Sequence, residues 1–434
     1  MLQLTERHEE QPFEALFELP LRNGIHKKKN FHGSGVPIIN MGELFDGDRI
    51  RIPPENLIEV TDSELERFGI EQGDLLFARR SLVLEGSGKT SLVEELGTAA
   101  VFESSVIRVR LDRTKADPDY YLAFFSSPEG RSRVLSIASQ TAVSGIRGSD
   151  LAKLFVPVPP VQLQREVGRA LKGLDDLIEN NRRRIELLEE TARLLYREWF
   201  VHFRYPGHED VPLVDSALGL LPEDWEQTPL GEILGTLESG SRPRGGVGDL
   251  SEGVPSVGAE NINGLGVYDF SKEKFISEEF FSSMKRGVVE PYDVLLYKDG
   301  AHIGRSAMFG EAFPHCRLAI NEHVFRLRSN GPMGQCFLYL WLSDQSTFHR
   351  VRQLNSNAAQ PGISQKKLLT LTMAVPAAEL LGAFESQVRP LVEALLSLAS
   401  QNKLLAEARD LLLPRLVSGD LDVSDLELDL EAVG

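Results

Sequence analysis

The chain has 434 residues, of which 42% are hydrophobic and 26% are charged, a composition typical of a water-soluble protein with at least two domains. It contains no run of about 18 consecutive apolar residues, so we expect no membrane span. The net charge of −17 argues against a uniformly basic nucleic-acid-binding domain, although basic surfaces can still form locally.

Two features of the chain predict a cytoplasmic protein. The N-terminal segment has no charged region followed by an apolar core, so we expect no secretory signal. Cys316 and Cys336 form neither a CxxC pair nor a Cys/His spacing, which favours a reducing compartment and no structural metal.

Basic segments in the first third of the chain are candidates for contact with nucleic acid. Lys27, Lys28 and Lys29 lie in a predicted loop with Phe31, and the pair Arg79-Arg80 follows an apolar strand. A basic loop that also carries an aromatic side chain suits contact with a phosphate backbone. A solvated loop is the alternative interpretation.

The segment EGSGKTSLV at Glu85 has the look of a nucleotide-binding loop. That motif requires a glycine six residues before the lysine, and Val83 stands at this position. Gly88-Lys89 also has a counterpart at Gly304-Arg305, where a hairpin turn is predicted. We therefore expect no ATP site, and Lys89 and Arg305 are interpreted either as DNA contacts or as cations of solvated turns.

A long helix is predicted from about Leu163 to Phe200, because apolar residues recur in it at alternating spacings of three and four. A second seam with the same rhythm follows near the C-terminus. We predict that the two helices pair antiparallel with Asn181 opposite Asn402, so that the two amides satisfy each other and fix the register. The seam positions that we expect to pair are Leu171, Ile178, Asn181, Ile185, Leu188, Leu195, Leu395, Leu398, Asn402, Leu405 and Leu412.

The rest of the chain repeats at an offset of about 217 residues. VPIIN at Val36 corresponds to VPSVG at Val254, GDLLFARR at Gly73 to YDVLLYKD at Tyr292, and YYLAFFSSP at Tyr120 to FLYLWLSD at Phe337. Matching loops are basic in both halves. The further DNA-contact candidates at these places are Arg147, Arg242, Arg244, Lys298, Lys366 and Lys367.

Sequence motifs for catalysis are scarce. The chain has no HExxH or GxSxG motif and no glycine-rich fingerprint for a dinucleotide or a methyl donor. We therefore predict a binding protein without catalytic residues, cofactors or a metal of its own.

Both long helices also carry leucines on a second stripe, away from the seam. These are Leu187 and Leu194 in the first helix and Leu404 and Leu411 in the second. A stripe repeated in both helices predicts docking of two copies of a partner protein. The alternative is that these leucines pack beneath the globular units.

Several segments together resemble the specificity (S) subunits of type I restriction-modification systems over nearly the whole chain. They are LPEDWEQTPLGEI at Leu221, DGAHIGRSAMF at Asp299, GISQKKLLTLTMAVP at Gly362, the central QREVGRALKGLDDLIENN at Gln164, and KLLAEARDLLLPRLVSGDL at Lys403. The first half begins at EALFELPLRNG without the LPEDW-type lead of the second, which leaves its edge less sharply marked.

The resemblance implies an α/β (α+β) fold with two pseudo-repeated target recognition domains separated by an antiparallel pair of long coiled-coil helices. The expected boundaries are 1–161 for the first target domain, 162–203 for the central spacer helix, 204–379 for the linker and second target domain, and 380–434 for the distal helix and acidic tail. Each target domain is expected to read one half of a bipartite double-stranded DNA site. The implied protein partners are two methyltransferase (M) subunits and the restriction motor/nuclease (R) subunits, which bind S-adenosylmethionine and ATP themselves.

Two rival functions come from other classes of protein. A stand-alone DNA methyltransferase or nuclease would need the methyl-donor or acidic metal motifs that the sequence lacks. A scaffold that binds only protein would not bind duplex DNA at low salt.

Overall fold

The computed structural model describes residues 8–139, 144–247, 250–331, 333–355 and 362–421. The predicted acidic tail lies outside the described residues from 422 onward. The chain forms two compact units. The first contains the described residues up to Leu177 and from Leu405 onward, and the second is Ile178–Leu404. Each unit therefore includes part of both long helices.

The first unit is built on a five-stranded sheet of order β2-β10-β6-β8-β4, in which only the β4–β8 pair is parallel. A second, three-stranded sheet has the order β5-β3-β9. The strands of this unit are β1 (Glu10–Pro12), β2 (Phe17–Asn23), β3 (His32–Ile39), β4 (Arg49–Ile50), β5 (Leu57–Ile58), β6 (Leu75–Ala78), β7 (Arg80–Ser81), β8 (Thr90–Val93), β9 (Val101–Phe102), β10 (Val106–Leu111), β11 (Ser144–Gly145) and β12 (Phe155–Pro157).

Helices pack on both faces of this sheet, because Leu75 and Phe77 share a buried cluster with residues of Tyr120–Phe125, while Leu76 and Ala78 share another with Leu44. The aromatic run Tyr120–Phe125 lies on one short helix, and its side chains pack with Phe13 and Phe77 in one buried cluster. Asp117 and Ser127 cap two consecutive helices with their side chains, which explains why the chain turns between them. The helices are α1 (Met41–Asp46), α2 (Asp62–Phe68), α3 (Pro118–Ser126), α4 (Pro128–Ser136), α5 (Gly148–Ala152) and the first long helix, α6 (Val161–Phe200).

The second unit repeats most of this arrangement. Its main sheet has the order β16-β22-β19-β20, and its small sheet has the order β18-β17-β21, with one antiparallel and one parallel pair as in the first unit. The strands are β13 (Leu213–Ser216), β14 (Gly219–Pro222), β15 (Glu226–Pro229), β16 (Leu234–Ser239), β17 (Val254–Val257), β18 (Phe275–Ile276), β19 (Val294–Tyr297), β20 (Ser306–Met308), β21 (Ala319–Ile320), β22 (Val324–Ser329) and β23 (Thr372–Val375).

The helices of the second unit are α7 (Leu230–Ile233), α8 (Glu278–Ser283), α9 (Gln335–Ser343), α10 (Gln345–Gln353), α11 (Gln365–Leu369) and the second long helix, α12 (Ala378–Ser418). They occupy places similar to those of the first unit, except that α7 stands where the first unit has the 3-10 turn Phe13–Leu16, and the 3-10 turn Ala259–Asn261 stands where the first unit has α1. The counterpart of β4 in the first unit is missing from the main sheet of the second. Among the described residues, the β7–β11 pair is also reduced to a single bridge between Asp299 and Gly362 in the second unit, and the β13–β14 hairpin has no counterpart in the first. The order of the remaining strands confirms the predicted tandem repeat.

The repeat extends to buried ion pairs. In the first unit Arg110 Nε lies 2.7 Å from Oδ1 of the buried Asp74, and in the second Arg328 Nε lies 2.7 Å from Oδ1 of the buried Asp293. In both units the same aspartate also accepts a backbone N–H from the residue three positions before it. The backbone turn is therefore fixed by the same side chains in each half.

The long helices pair antiparallel within each unit. In the second unit Trp199, near the end of α6, lies 5.7 Å from Phe384, near the start of α12, measured between ring centroids. In the first unit Leu171 and Leu416 belong to one buried cluster. No helix in the described part of the chain is long and apolar enough to cross a membrane.

The structure corrects one detail of the predicted seam. Asn402 Nδ2 donates to the backbone oxygen of Ile178 at 3.1 Å, and its Oδ1 has no hydrogen-bond partner. The reciprocal pairing of Asn181 with Asn402 is therefore not formed. Ile178 lies three residues before Asn181, so the predicted register is met only to within about one helical turn.

Candidate DNA interface

In the first unit, a short strand pair brings together two basic segments that are distant in sequence. Arg80 in β7 pairs with Gly145 in β11, and the N–H of Ile146 donates to the backbone oxygen of Arg79 at 3.0 Å. Arg147 follows directly, at the N-cap position of α5. Arg79, Arg80 and Arg147 therefore lie at one edge of the unit.

The second unit builds the same edge from its own residues. Asp299 pairs with Gly362, and the N–H of Ile363 donates to the backbone oxygen of Lys298 at 2.9 Å. Lys366 and Lys367 then lie in α11, which directly follows. One backbone scaffold thus presents different side chains in the two units: Arg79, Arg80 and Arg147 of the first unit match Lys298, Asp299 and Ser364 of the second. Lys366 and Lys367 follow two and three residues after Ser364.

Two of the predicted cations of the first unit are already engaged by carboxylates. Lys27 Nζ lies 2.6 Å from Glu64 Oε2 and 5.0 Å from the centre of the Phe31 ring, and its side chain is only 13% exposed. Lys89 forms an ion pair with Asp48. Their charges hold local structure together, so less of each is available to a ligand.

Other predicted cations contact groups within the protein. Arg79 donates to the backbone oxygen of Ser104 at 3.4 Å, Arg242 pairs with Glu322 at 2.7 Å, and Lys367 donates to the backbone oxygen of Leu354 at 3.3 Å. Lys298 lies 5.0 Å from the centre of the Phe325 ring. The remaining candidates are exposed and form no ion pair among the described residues: Lys28, Lys29, Arg80, Arg147, Arg244, Arg305 and Lys366.

The loop between β6 and β8 contains the sequence that imitates a nucleotide-binding motif. Gly88 has a positive φ of 66° and is followed by the strand β8, which pairs antiparallel with β6. A phosphate-binding loop of that class would open a helix here. The structure therefore confirms the predicted hairpin, and no cluster of three or more possible metal ligands occurs in the described part of the chain.

Arg131 shapes this loop, a role that was not predicted from the sequence. The guanidinium of Arg131, on α4, donates to the backbone oxygens of Glu85, Ser87 and Gly88 at 2.6, 3.1 and 2.9 Å. Burial lowers the pKa of Arg131 from its ordinary value. The sequence gives no signal for this role of Arg131, because its partners are backbone carbonyl groups more than forty residues away.

A second group missed from sequence surrounds Arg49 in the first unit. The Arg49 side chain is 5% exposed and lies 2.9 Å from Glu94, 2.5 Å from Asp119 and 3.4 Å from Asp175. Burial lowers the pKa of Arg49, but the three carboxylates outweigh that effect and raise it. Asp175 belongs to α6, so the group ties the sheet to the long helix.

The leucine stripe on the long helices is open to solvent. In the second unit the exposed fractions are 67% for Leu187, 52% for Leu194 and 63% for Leu404, and in the first unit Leu411 is 72% exposed. They therefore do not pack beneath either unit. Solvent exposure of large apolar side chains at a regular helical spacing is typical of a protein-docking surface.

Two α/β units of one repeated topology, each with a cationic edge and each carried on paired long helices, define a tandem recognition protein. Residues 12–190 match the family model described as the type I restriction modification DNA specificity domain. Across 427 aligned residues the chain is 26% identical to the MjaIX type I restriction enzyme specificity subunit of Methanocaldococcus jannaschii, covering 92% of this chain and 90% of that one.

Two further relatives agree. The EcoKI type I specificity subunit of Escherichia coli is 34% identical over 156 residues, which are 36% of this chain and 33% of the relative. The crystal structure of the type I restriction-modification S subunit from M. genitalium matches with a TM-score of 0.61 and 16% identity, covering 96% of this chain and 98% of the other, which supports the fold. The chain is thus similar over nearly its whole length to specificity subunits of type I restriction-modification systems, the resemblance that the sequence predicted.

Proposed function

We propose that this chain is the DNA-sequence-recognition subunit of a type I restriction-modification complex and that each unit reads one half of a bipartite site. The observation that carries the proposal is the repeated edge, where one backbone scaffold presents different side chains in the two units. Half-sites for paired readers are commonly separated by about one turn of B-DNA. In this proposal the long helices set the spacing between the two half-sites.

The proposed role of the basic residues differs from place to place. Exposed lysines such as Lys28 and Lys29 supply charge for phosphate contacts that do not depend on sequence. Arginines such as Arg80 and Arg147 in the first unit can donate two hydrogen bonds to a guanine edge. The chain itself needs no methyl donor or ATP, because in this proposal the partner subunits bind them.

An exchange of units tests the divided reading of the site. The first unit would be replaced by the corresponding segment of a relative that recognises a different site, and methylated adenines would be mapped with the partner subunits present. We expect one half of the recognised sequence to change and the other half to stay the same. A change in both halves, or in neither, would refute the assignment of one unit to each half.

We further propose that the exposed leucine stripe docks two methyltransferase subunits, one on each long helix, with restriction subunits joining that complex. The regular exposure of Leu187, Leu194, Leu404 and Leu411 supports this. The family name of the relatives concerns a multi-subunit enzyme system, which agrees with a docking role.

Paired charge substitutions test the docking. We expect L187E/L194E and L404E/L411E each to lower the number of bound methyltransferase subunits from two to one, measured by native mass spectrometry of the co-expressed complex. Glu186→Arg, an exposed charge change on a neighbouring face of α6, is the control and should keep both copies. Two copies bound by both double variants would place the docking surface elsewhere.

A further inference from the structure

The most exposed large apolar side chain among the described residues is Leu82, in the loop between β6 and β8 of the first unit. It is 90% exposed, and its neighbour Val83 is 59% exposed. A solvent-facing leucine in a loop is common, but this one lies two residues after the Arg79-Arg80 pair. The exposed Arg147 is brought to the same edge by the β7–β11 pair.

The loop that carries Leu82 is held in one conformation. Three backbone oxygens of the loop accept hydrogen bonds from Arg131. The N–H of Val83 donates to Ser81 Oγ at 3.2 Å, and the N–H of Gly86 donates to the backbone oxygen of Val83 at 3.2 Å. An apolar tip on a braced loop loses little conformational entropy when it binds, because the backbone is already ordered.

The charged residues near Leu82 indicate which kind of ligand this loop can bind. The exposed Arg80 precedes Leu82 by two residues, the β7–β11 pair brings the exposed Arg147 to the same edge, and Glu85 is the exposed carboxylate within the loop. A cationic edge of this kind attracts a polyanion such as the phosphate backbone of DNA. An apolar group between phosphate-binding arginines therefore faces a groove of duplex DNA.

We propose that Leu82 contacts the 5-methyl group of a thymine in the major groove, within the half-site read by the first unit. This inference rests on the proposed DNA-recognition function. The major groove displays one apolar group, the thymine methyl, and aliphatic side chains recognise it by contact. The flanking arginine side chains are longer than leucine, so they meet phosphates before Leu82 could pass between stacked bases.

The second unit lacks this feature. Its corresponding loop reads Asp299-Gly300-Ala301-His302, with a small residue and a histidine at the tip in place of the Leu-Val pair. The thymine contact is therefore confined to one half of the site. Leu82 adds specificity to the first half-site, while the second half-site is read with other side chains.

The test compares sequence preference with and without the leucine side chain. The full chain in complex with its methyltransferase subunits would be used to select duplexes from a random library, followed by binding titrations on the selected site. We expect Leu82→Ala to lose the preference for thymine at one position of one half-site and to bind the wild-type site about threefold to tenfold more weakly. Ile52→Ala, which truncates another exposed apolar residue of the same unit, should change neither quantity.

Replacing the thymine by uracil removes only the methyl group. Together with Leu82→Ala it gives a double-mutant cycle for the contact between the leucine and the methyl group. Replacing that thymine by deoxyuridine should weaken binding of the wild-type complex by the same factor and leave the Leu82→Ala complex unaffected. Equal binding of thymine and uracil by the wild type, or an unchanged preference in Leu82→Ala, would overturn the inference while the recognition function stands.

Two further readouts separate the other outcomes. A rise in 2-aminopurine fluorescence next to the contacted step, present with Leu82 and absent with Ala, would show unstacking by a wedge and would overturn the methyl contact. Failure of the wild-type complex to bind any duplex at low salt would instead refute the proposed function itself. Because Leu82 is exposed, the thermal unfolding of Leu82→Ala should match the wild type.

Discussion

Arg49→Ala should destabilise the first unit much more than an ordinary surface change. Arg49 is almost fully buried, and Asp119 has no other ion-pair partner among the described residues. Glu94 and Asp175 keep Lys172 and Arg409 respectively, at 2.7 and 3.2 Å. Removal of one member of a buried ion-pair group typically costs 3–5 kcal/mol, and the carboxylates here are partly exposed, so we expect about 3 kcal/mol.

The neighbouring Arg51→Ala provides a matched control. Arg51 Nη2 lies 2.5 Å from Asp176, whose side chain is 48% exposed. Exposed ion pairs contribute about 0–1 kcal/mol, so the control should lose no more than that. The two variants remove the same side chain from positions two residues apart, and they differ chiefly in burial.

Native-state hydrogen exchange is the suitable assay, because the two units need not unfold together. The opening free energy of amides in β6 and β10 reports on the first unit, and amides in β19 and β22 serve as an internal reference. We expect the Arg49→Ala loss to be confined to the first unit. A loss below about 1 kcal/mol, or an equal loss in both units, would show that the ion pairs of Arg49 do not specifically stabilise the first unit.

Acidification should reduce the difference in the free energy of unfolding between the wild type and Arg49→Ala. Burial raises the pKa of Glu94, but hydrogen bonding and charge from Lys172 and Arg49 outweigh it, so the folded pKa lies below its ordinary value. The stabilisation by ionised Glu94 is therefore full above the unfolded pKa of about 4.3 and is lost as the pH falls through the lower folded value. The variant lacks part of this contribution, so its deficit should begin to shrink only below about pH 4.3 and should continue to shrink as the pH falls through the folded pKa of Glu94.

Three further predictions concern the charges and the seam. Lys28→Ala combined with Lys29→Ala should lower the slope of log affinity against log salt by about 2 on any duplex, whereas Lys27→Ala should leave the slope unchanged because Lys27 is paired with a carboxylate; titrations at several salt concentrations measure both. Asp293→Asn should lower the opening free energy of the second unit by about 3 kcal/mol, because the buried carboxylate binds two arginines, and hydrogen exchange in β19 would show it. Asn402→Leu should leave that unit equally stable or slightly more stable, because its buried Oδ1 has no partner, and a loss above about 1 kcal/mol in the same assay would contradict this.

The basic residues show where prediction from the sequence stops. Their clustering in matching loops of the two halves was visible, and the structure brings the segment of Arg79 to that of Arg147 and the segment of Lys298 to that of Lys366 by matching backbone hydrogen bonds. Which cations are engaged was not visible. Glu64, which pairs with Lys27, lies 37 residues away in sequence, and no local pattern connects them.

The sequence by itself determined the doubled architecture and the two long helices. Burial on one face imposes a period of about two in strands and about three and a half in paired helices, so these patterns can be read without coordinates. The same offset in every block showed that the second half repeats the first. It also exposed the segment around Lys89 as a hairpin, because its counterpart at Arg305 could not bind a nucleotide in the same way.

Only the tertiary structure decided how individual polar groups are used. Asn402 bonds to a backbone oxygen instead of Asn181, Arg131 braces a loop, and Arg49 is buried among carboxylates from three separate segments. The physical reason is the separation along the chain of the residues that interact. Apolar periodicity is a property of neighbouring residues on one element, whereas a hydrogen bond or an ion pair depends on angstrom-scale positions of groups that the folded chain brings together from distant places.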